Sequence, residues 1–304
     1  MFRLDMERRK LGKTDMEVSL LGFGGSEIGY QGVAAATVNK ILNTGLDAGL
    51  NVIDTAECYV NSEELIGQAV AARRKEYYLF TKCGHFTGWG QPDWRPSSLL
   101  KSIERSLKRL RTDCIDLVQL HSCGEDELRR GEVIEALKRA RERGYTRHIG
   151  YSGDSRAALY AIRCGAFDTL QTSVSIADQE PLELTLPPAR ERNIGVIAKR
   201  PIANAAWKSG DRRPVDSYAH PYWERLRKLN YDFLRGDLNE TIAIALRFTL
   251  TVPGVHTAIV GTTRPERIQQ NAAILEAGPL PKDLFETIRS RWHAVAYDTW
   301  VGQT

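Results

Sequence analysis

The chain has 304 residues, of which 42% are hydrophobic and 26% charged, and a formal net charge of +4. This balance supports a large buried core and argues against disorder. The length suits one parallel barrel of roughly 200–300 residues as well as it suits two smaller domains.

The basic residues lie in mixed runs such as RERGYTRH and WERLRKLNYD, without a tail or stripe, so no nucleic-acid partner is indicated. Cys58, Cys83, Cys114, Cys123 and Cys164 are odd in number and contain no CxxC pair, which fits a reducing compartment. The start MFRLDMERRK has no apolar core segment, and no apolar run approaches the ~18 residues of a membrane span. A soluble, cytoplasmic protein without a membrane partner is expected. Nothing in the sequence reports an oligomeric state.

In chain order, RRKLGKTDMEVSLLGFGG predicts a hairpin turning near Gly12 to Asp15, followed by a strand that ends in glycines. Regular alternation follows. Helical stretches at 33–49, 61–74, 97–110 and 126–144 precede the strands NVID, YYLFTK, CIDLVQLH and RHIGYS. Further stretches at 155–165, 180–192 and 239–251 precede DTLQTSVS, IGVIAK and HTAIVG. With the strand before Gly24 this gives eight strands joined by helices, hence right-handed parallel crossovers and a single-domain (β/α)8 TIM barrel. An open doubly wound sheet is the alternative. It is weakened because Gly24, Gly25 and Gly29 do not form a GxGxxG that opens a helix. The segments 84–96 and 200–223 and the tail from 291 interrupt the rhythm with Gly, Pro and aromatic residues. In a barrel the first two follow strand ends, on the face where active sites are built.

Three of the strands finish on groups that a buried strand avoids: NVIDTAECY on Asp54, YYLFTKC on Lys82 and CIDLVQLHS on His121. Barrel closure brings these ends onto one rim, and Tyr59, five residues beyond Asp54, can fold over it. A phenol titrating near 10 works poorly as an acid or base at neutral pH unless a cation lowers that value. Lys82 could supply the cation, Asp54 would hold Lys82, and His121 would aim a reacting oxygen at the phenol. A metal site from His121, Cys123, Cys58 and Cys83 lacks the usual paired ligand spacing. A lysine at an apolar strand end would also suit a Schiff-base aldolase.

In HTAIVGTTRPERIQQN, Thr263 followed by Glu266 reads as a capping box, which would aim helix N–H groups at the barrel mouth. Arg264, Arg267 and Asn271 then share a helix face as an anion clamp.

With these residues assembled, the chain resembles the aldo-keto reductase superfamily over nearly its whole length. Asp54-Thr55-Ala56 with Tyr59, Lys82 in LFTKCG and His121 in DLVQLHS match that family's catalytic Asp, Tyr, Lys and His. LGFGG, IGYS, Gln171 and GTTRPERIQQN match its cofactor segments in order. The resemblance implies NADPH (NADP+) as cofactor and a small carbonyl or sugar substrate, with Tyr59 donating the proton as the nicotinamide delivers hydride. It implies that Ser152 and Gln171 hold the carboxamide, Gly261, Thr262, Thr263 and Arg264 the phosphates, and Arg267 with Asn271 the 2′-phosphate end. Gly24, Gly25, Asp54, Lys199, Arg200, Pro201 and Gln270 complete the implied cofactor set. The candidate substrate-pocket residues are Glu57, His85, Phe86, Trp89, Trp94, Trp207 and Trp300.

Two residues depart from the family pattern. Gly153 stands where an Asn usually follows the serine, with Asp154 as a substitute for the missing amide. Lys199, with Arg200 after it, stands where an aromatic commonly stacks on the nicotinamide, and its cation should repel the oxidised ring. Some members of the superfamily are non-catalytic NADPH-sensing subunits, a further alternative.

Overall fold

The computed structural model describes residues 6–86 and 90–303. β1 (Arg8–Lys10) and β2 (Glu17–Ser19) pair as the antiparallel hairpin predicted from the sequence. β3 (Leu21–Gly24), β4 (Val52–Asp54), β5 (Tyr78–Cys83), β6 (Ile115–His121), β7 (Thr146–Ser152), β8 (Thr169–Ser173), β9 (Gly195–Lys199) and β10 (Thr257–Val260) follow. They form a closed barrel in chain order, β10 pairing with β3 and every neighbour parallel. Among the described residues no helix is long and apolar enough to cross a membrane.

Side chains alternate sides along a strand, so each strand contributes a column of inward residues two apart. At the lower end these columns carry Val52, Phe80, Leu117, Ile197 and Ile259, which pack as one buried cluster with Leu11, Met16 and Val18 of the hairpin. The hairpin therefore plugs the barrel floor. Gly12 is required there: its φ is +54°, and a Cβ would stand 2.2 Å from the Gly195 nitrogen. One step up each column the apolar layer gives way to Asp54, Lys82, Gln119 and Lys199. The outward faces of the strands join the helices in the main core.

Two helices read as continuous are each divided in two. Gly131, at φ 78°, separates Glu125–Arg130 from Glu132–Glu142. Pro187 and Pro188 cannot donate within a helix interior, so a new helix starts at Leu186 after Pro181–Leu184. The 200–223 segment is less irregular than expected. It holds 3-10 turns at Ala203–Ser209 and Ser217–Ala219 and leads into a helix at His220–Leu229.

Candidate active site

Asp54 is the hub of the barrel mouth. Lys82 donates from Nζ to Asp54 Oδ2 at 2.5 Å and to the Thr55 carbonyl at 2.8 Å. Gln171 and Gln119 donate to Asp54 Oδ1 at 2.8 and 3.4 Å. Four strands thus meet on one carboxylate whose side chain is 2% exposed, opposite a lysine that is 1% exposed. Burial pushes the Asp54 carboxyl upward, and the Lys82 cation and the two amides oppose that.

Tyr59 is carried by the turn after β4, which is pinned on several sides. Thr55 N–H donates to the Phe80 carbonyl and Glu57 N–H to the Lys82 carbonyl. The Ser62 hydroxyl meets that of Thr55 and donates to the Gly25 carbonyl at 2.7 Å. A Cβ on Gly29 would fall 2.1 Å from the Tyr59 carbonyl, so glycine lets the first loop close on this turn. Val60 follows at φ 50°, a strained conformation for a β-branched residue. Ser122 and Arg200, each directly after a strand end, also have positive φ, at 57° and 56°. Backbone strain therefore collects along the mouth.

The Lys82 ammonium lies 5.1 Å from the Tyr59 ring centre, and the His121 ring meets Tyr59 edge-on at 5.7 Å between centres. Contrary to the expectation of a phenol acidified by Lys82, burial raises the Tyr59 hydroxyl well above its usual range, and the Asp54 carboxylate adds to the rise. Tyr59 therefore keeps its proton at neutral pH. Lys82 is held by Asp54 while it stands beside the phenol ring. Burial, reinforced by Lys82 and Lys199, holds His121 well below its usual range, so the imidazole is neutral. Its Nδ1 lies 3.4 Å from Cys58 Sγ.

On the far side of the mouth, the Ser152 hydroxyl bonds Gln171 Oε1 at 3.1 Å. Lys199 pairs with Asp154 at 2.8 Å, and burial pushes its ammonium down to about 8 despite that partner. Arg200 donates to the Ser173 hydroxyl at 2.6 Å and to the Gln303 carbonyl at 2.5 Å. The opposing edge of the mouth is bare backbone. Gly24 and Gly261 meet across β3 and β10 so closely that a Cβ on Gly24 would stand 3.4 Å from the Gly261 nitrogen. That cradle and the arginines beyond it fit a dinucleotide's phosphates.

The model of the Aldo/keto reductase family matches residues 20–293. The chain belongs to the aldo/keto reductase family. It is an NAD(P)H-dependent, carbonyl-reducing oxidoreductase. It is 29% identical over 301 residues to the uncharacterized oxidoreductase YqkF of Bacillus subtilis, covering 94% of this chain and 96% of that one. It is 27% identical over 296 residues to the L-galactose dehydrogenase of Arabidopsis thaliana, covering 91% of each. Among solved structures, the holo form of aldo-keto reductase AKR11C1 from Bacillus halodurans superposes with a TM-score of 0.80. It is 27% identical, with 97% of this chain and 99% of that chain covered. A Klebsiella pneumoniae aldo/keto reductase in complex with NADP and acetate gives 0.71 at 25% identity, covering 94% and 95%.

Several sequence expectations need correction within this family frame. Glu57 lines a small cleft with His85 and Phe86, but its carboxylate is buried there, paired with Arg105 and accepting from Ser102. Trp300 packs edge-on against Trp292 at 5.5 Å and is 8% exposed, so it belongs to the core. The Thr263–Glu266 capping box does not form. Pro265 restricts the residue before it to extended backbone, so Arg264 becomes the N-cap, and its N–H donates to Thr262 Oγ1 at 3.1 Å. Arg267 donates to Asn239 at 3.0 Å, and Asn271 is 8% exposed.

Asp154 does not stand in for the missing amide. Its Oδ1 accepts from Thr172 and the Ser173 N–H, and its other oxygen faces Lys199. Gly153 has a steric cause, since a Cβ would meet the Tyr151 hydroxyl at 2.5 Å. Of the aromatic candidates, Trp94 packs edge-on against His85 at 5.5 Å, and His85 in turn lies 5.8 Å from the His121 ring. Phe86 is 47% exposed. Trp207 is half-buried in the 203–209 turn with its Nε1 buried. Trp89 lies outside the described residues. Gln119 and the Asp154–Lys199 pair were not picked out as site partners. Gln119 could have been found, because it lies two residues before His121 on the same inward column.

Proposed function

We propose that this reductase uses NADPH to reduce an aldehyde, ketone or aldose carbonyl to an alcohol, or runs the reverse oxidation, with Tyr59 as general acid. The observation that carries this reading is a half-buried phenol set between the Lys82–Asp54 pair and the His121 imidazole at the mouth of the barrel. When bound, the cofactor supplies a hydride. The protein's part is to hold the carbonyl and deliver the proton. His121, neutral, donates an N–H to the substrate oxygen and aims it at the phenol. Tyr59 Oη gives its proton to that oxygen as negative charge develops, and the nearby Lys82 ammonium stabilises the phenolate left behind. Asp54 keeps Lys82 in register, and Gln171 with Ser152 orients the carboxamide. Arg264, Arg267 and Asn271, with the Gly24–Gly25 and Gly261–Thr262 backbone, would take the phosphates.

A Schiff-base lyase is disfavoured because Lys82 Nζ is held by Asp54 and the Thr55 carbonyl at a site where the side chain is 1% exposed. Following NADPH absorbance across a panel of aldehydes, ketones and aldoses tests the reading. Turnover is expected with at least one class. Absence of any turnover, together with borohydride-trapped substrate on Lys82, would overturn it.

A further inference from the structure

The short helix after β3, Ser26–Tyr30, carries an acid that the mechanism above does not use. Glu27 presses its carboxyl onto Gly261: a Cβ built on Gly261 would lie 1.7 Å from Glu27 Oε2 and 2.2 Å from its carboxyl carbon. The carboxyl group thus rests where a side chain at 261 would stand, and a residue larger than glycine there would displace it. That place is the end of β10, facing Gly24 across the cradle of bare backbone.

We propose that the Glu27 carboxyl competes with a cofactor phosphate for the seat beside Gly261, so that dinucleotide binding is coupled to proton uptake at Glu27. The inference rests on reading Gly24–Gly25 and Gly261–Arg264 as the phosphate cradle. The physical case is one of like charges. A phosphate brought to Gly261 would come within contact distance of a half-buried carboxylate, whose partial desolvation already disfavours the charged form. Among the described residues Glu27 has one side-chain hydrogen bond, from the Ser26 hydroxyl at 2.8 Å, and no ion pair. The ionisable groups on the segments around it are Asp54 on β4, Tyr59 and Glu63 in the turn and helix beyond Gly29, and Arg264 past Gly261. None of these bonds its carboxyl. A proton on Glu27 turns a repelling group into one that can donate to a phosphate oxygen. Affinity for the cofactor should then rise as pH falls.

The test is titration calorimetry of the full-length protein with NADPH and with NADH, which lacks the titrating 2′-phosphate, in two buffers of different ionisation enthalpy. The wild type is expected to take up a fraction of a proton with either ligand, increasing toward pH 8. Glu27→Gln should abolish that uptake and tighten binding by about fivefold or more at pH 8, the bulk-water limit for two charges about 4 Å apart. Glu27→Ala should act in the same direction, which separates lost charge from a new amide contact. If the wild type and both variants bind with the same affinity and the same protonation, the inference fails while the reductase reading stands. If neither ligand binds any of the three proteins, the cofactor reading beneath it fails.

Discussion

Replacing Asp54 with Asn would leave the Lys82 ammonium, 1% exposed, without the partner it meets at 2.5 Å. One hydrogen bond remains to Lys82, to the Thr55 carbonyl at 2.8 Å. Removing one member of a buried pair costs about 3–5 kcal/mol, because the other charge is stranded. The Gln171 and Gln119 amides keep an oxygen acceptor in the Asn side chain, so the loss should sit at the lower end, about 3 kcal/mol. Urea unfolding, followed by circular dichroism, measures it. The double variant Asp54→Asn/Lys82→Met removes the charge along with its partner and should recover much of the loss, giving a coupling of about 1–3 kcal/mol in the cycle. A single-variant loss below about 1 kcal/mol, or strict additivity in the cycle, would refute the view that these groups form one buried, mutually dependent unit.

Three other outcomes are expected. Gly153→Ala should destabilise by about 1–3 kcal/mol in the same unfolding assay, since the added methyl meets the Tyr151 ring and hydroxyl, and the latter is held by the Cys123 carbonyl at 2.7 Å. His148 is raised above its ordinary value by Asp168 and then Asp15. A raised folded value stabilises below the unfolded value of about 6.5 and is lost as pH climbs through the folded one, so His148→Gln should narrow the stability difference between pH 6 and pH 8.5. Lys199 is pushed down to about 8, so above that pH its positive charge fades and Asp154 keeps only Arg200 as a cationic neighbour. The affinity for NADP+ relative to NADPH should therefore rise between pH 7 and 9 by fluorescence titration, and Lys199→Gln should flatten that rise.

The barrel was legible because each strand is an apolar run between helical periods, and the floor hairpin because Gly12 marks its turn. The Asp54, Lys82 and His121 rim was legible because an ionisable residue at the end of a buried strand has few places to go. What escaped the sequence was governed by partners distant in the chain. The partner of the Lys199 cation, Asp154 on the loop after β7, lies far from it in the chain. Glu57 lies three residues from Asp54 yet faces Arg105 on a neighbouring helix. Trp300 is aromatic and near the end of the chain, features that suit a pocket wall as well as a core. Only the position of Trp292 decides between them. The sequence supplied the cation and the carboxylate beside Tyr59 but not the desolvation that raises its hydroxyl.

The central claim is that Tyr59 supplies the proton at a site organised by Lys82, Asp54 and His121. Single-turnover oxidation of bound NADPH by a carbonyl substrate, compared in the wild type and Tyr59→Phe, tests it most directly. The rate in the variant should fall by about 10²–10⁴-fold, the usual worth of a positioned general acid, with NADPH affinity unchanged. A variant that turns over at the wild-type rate would contradict the account.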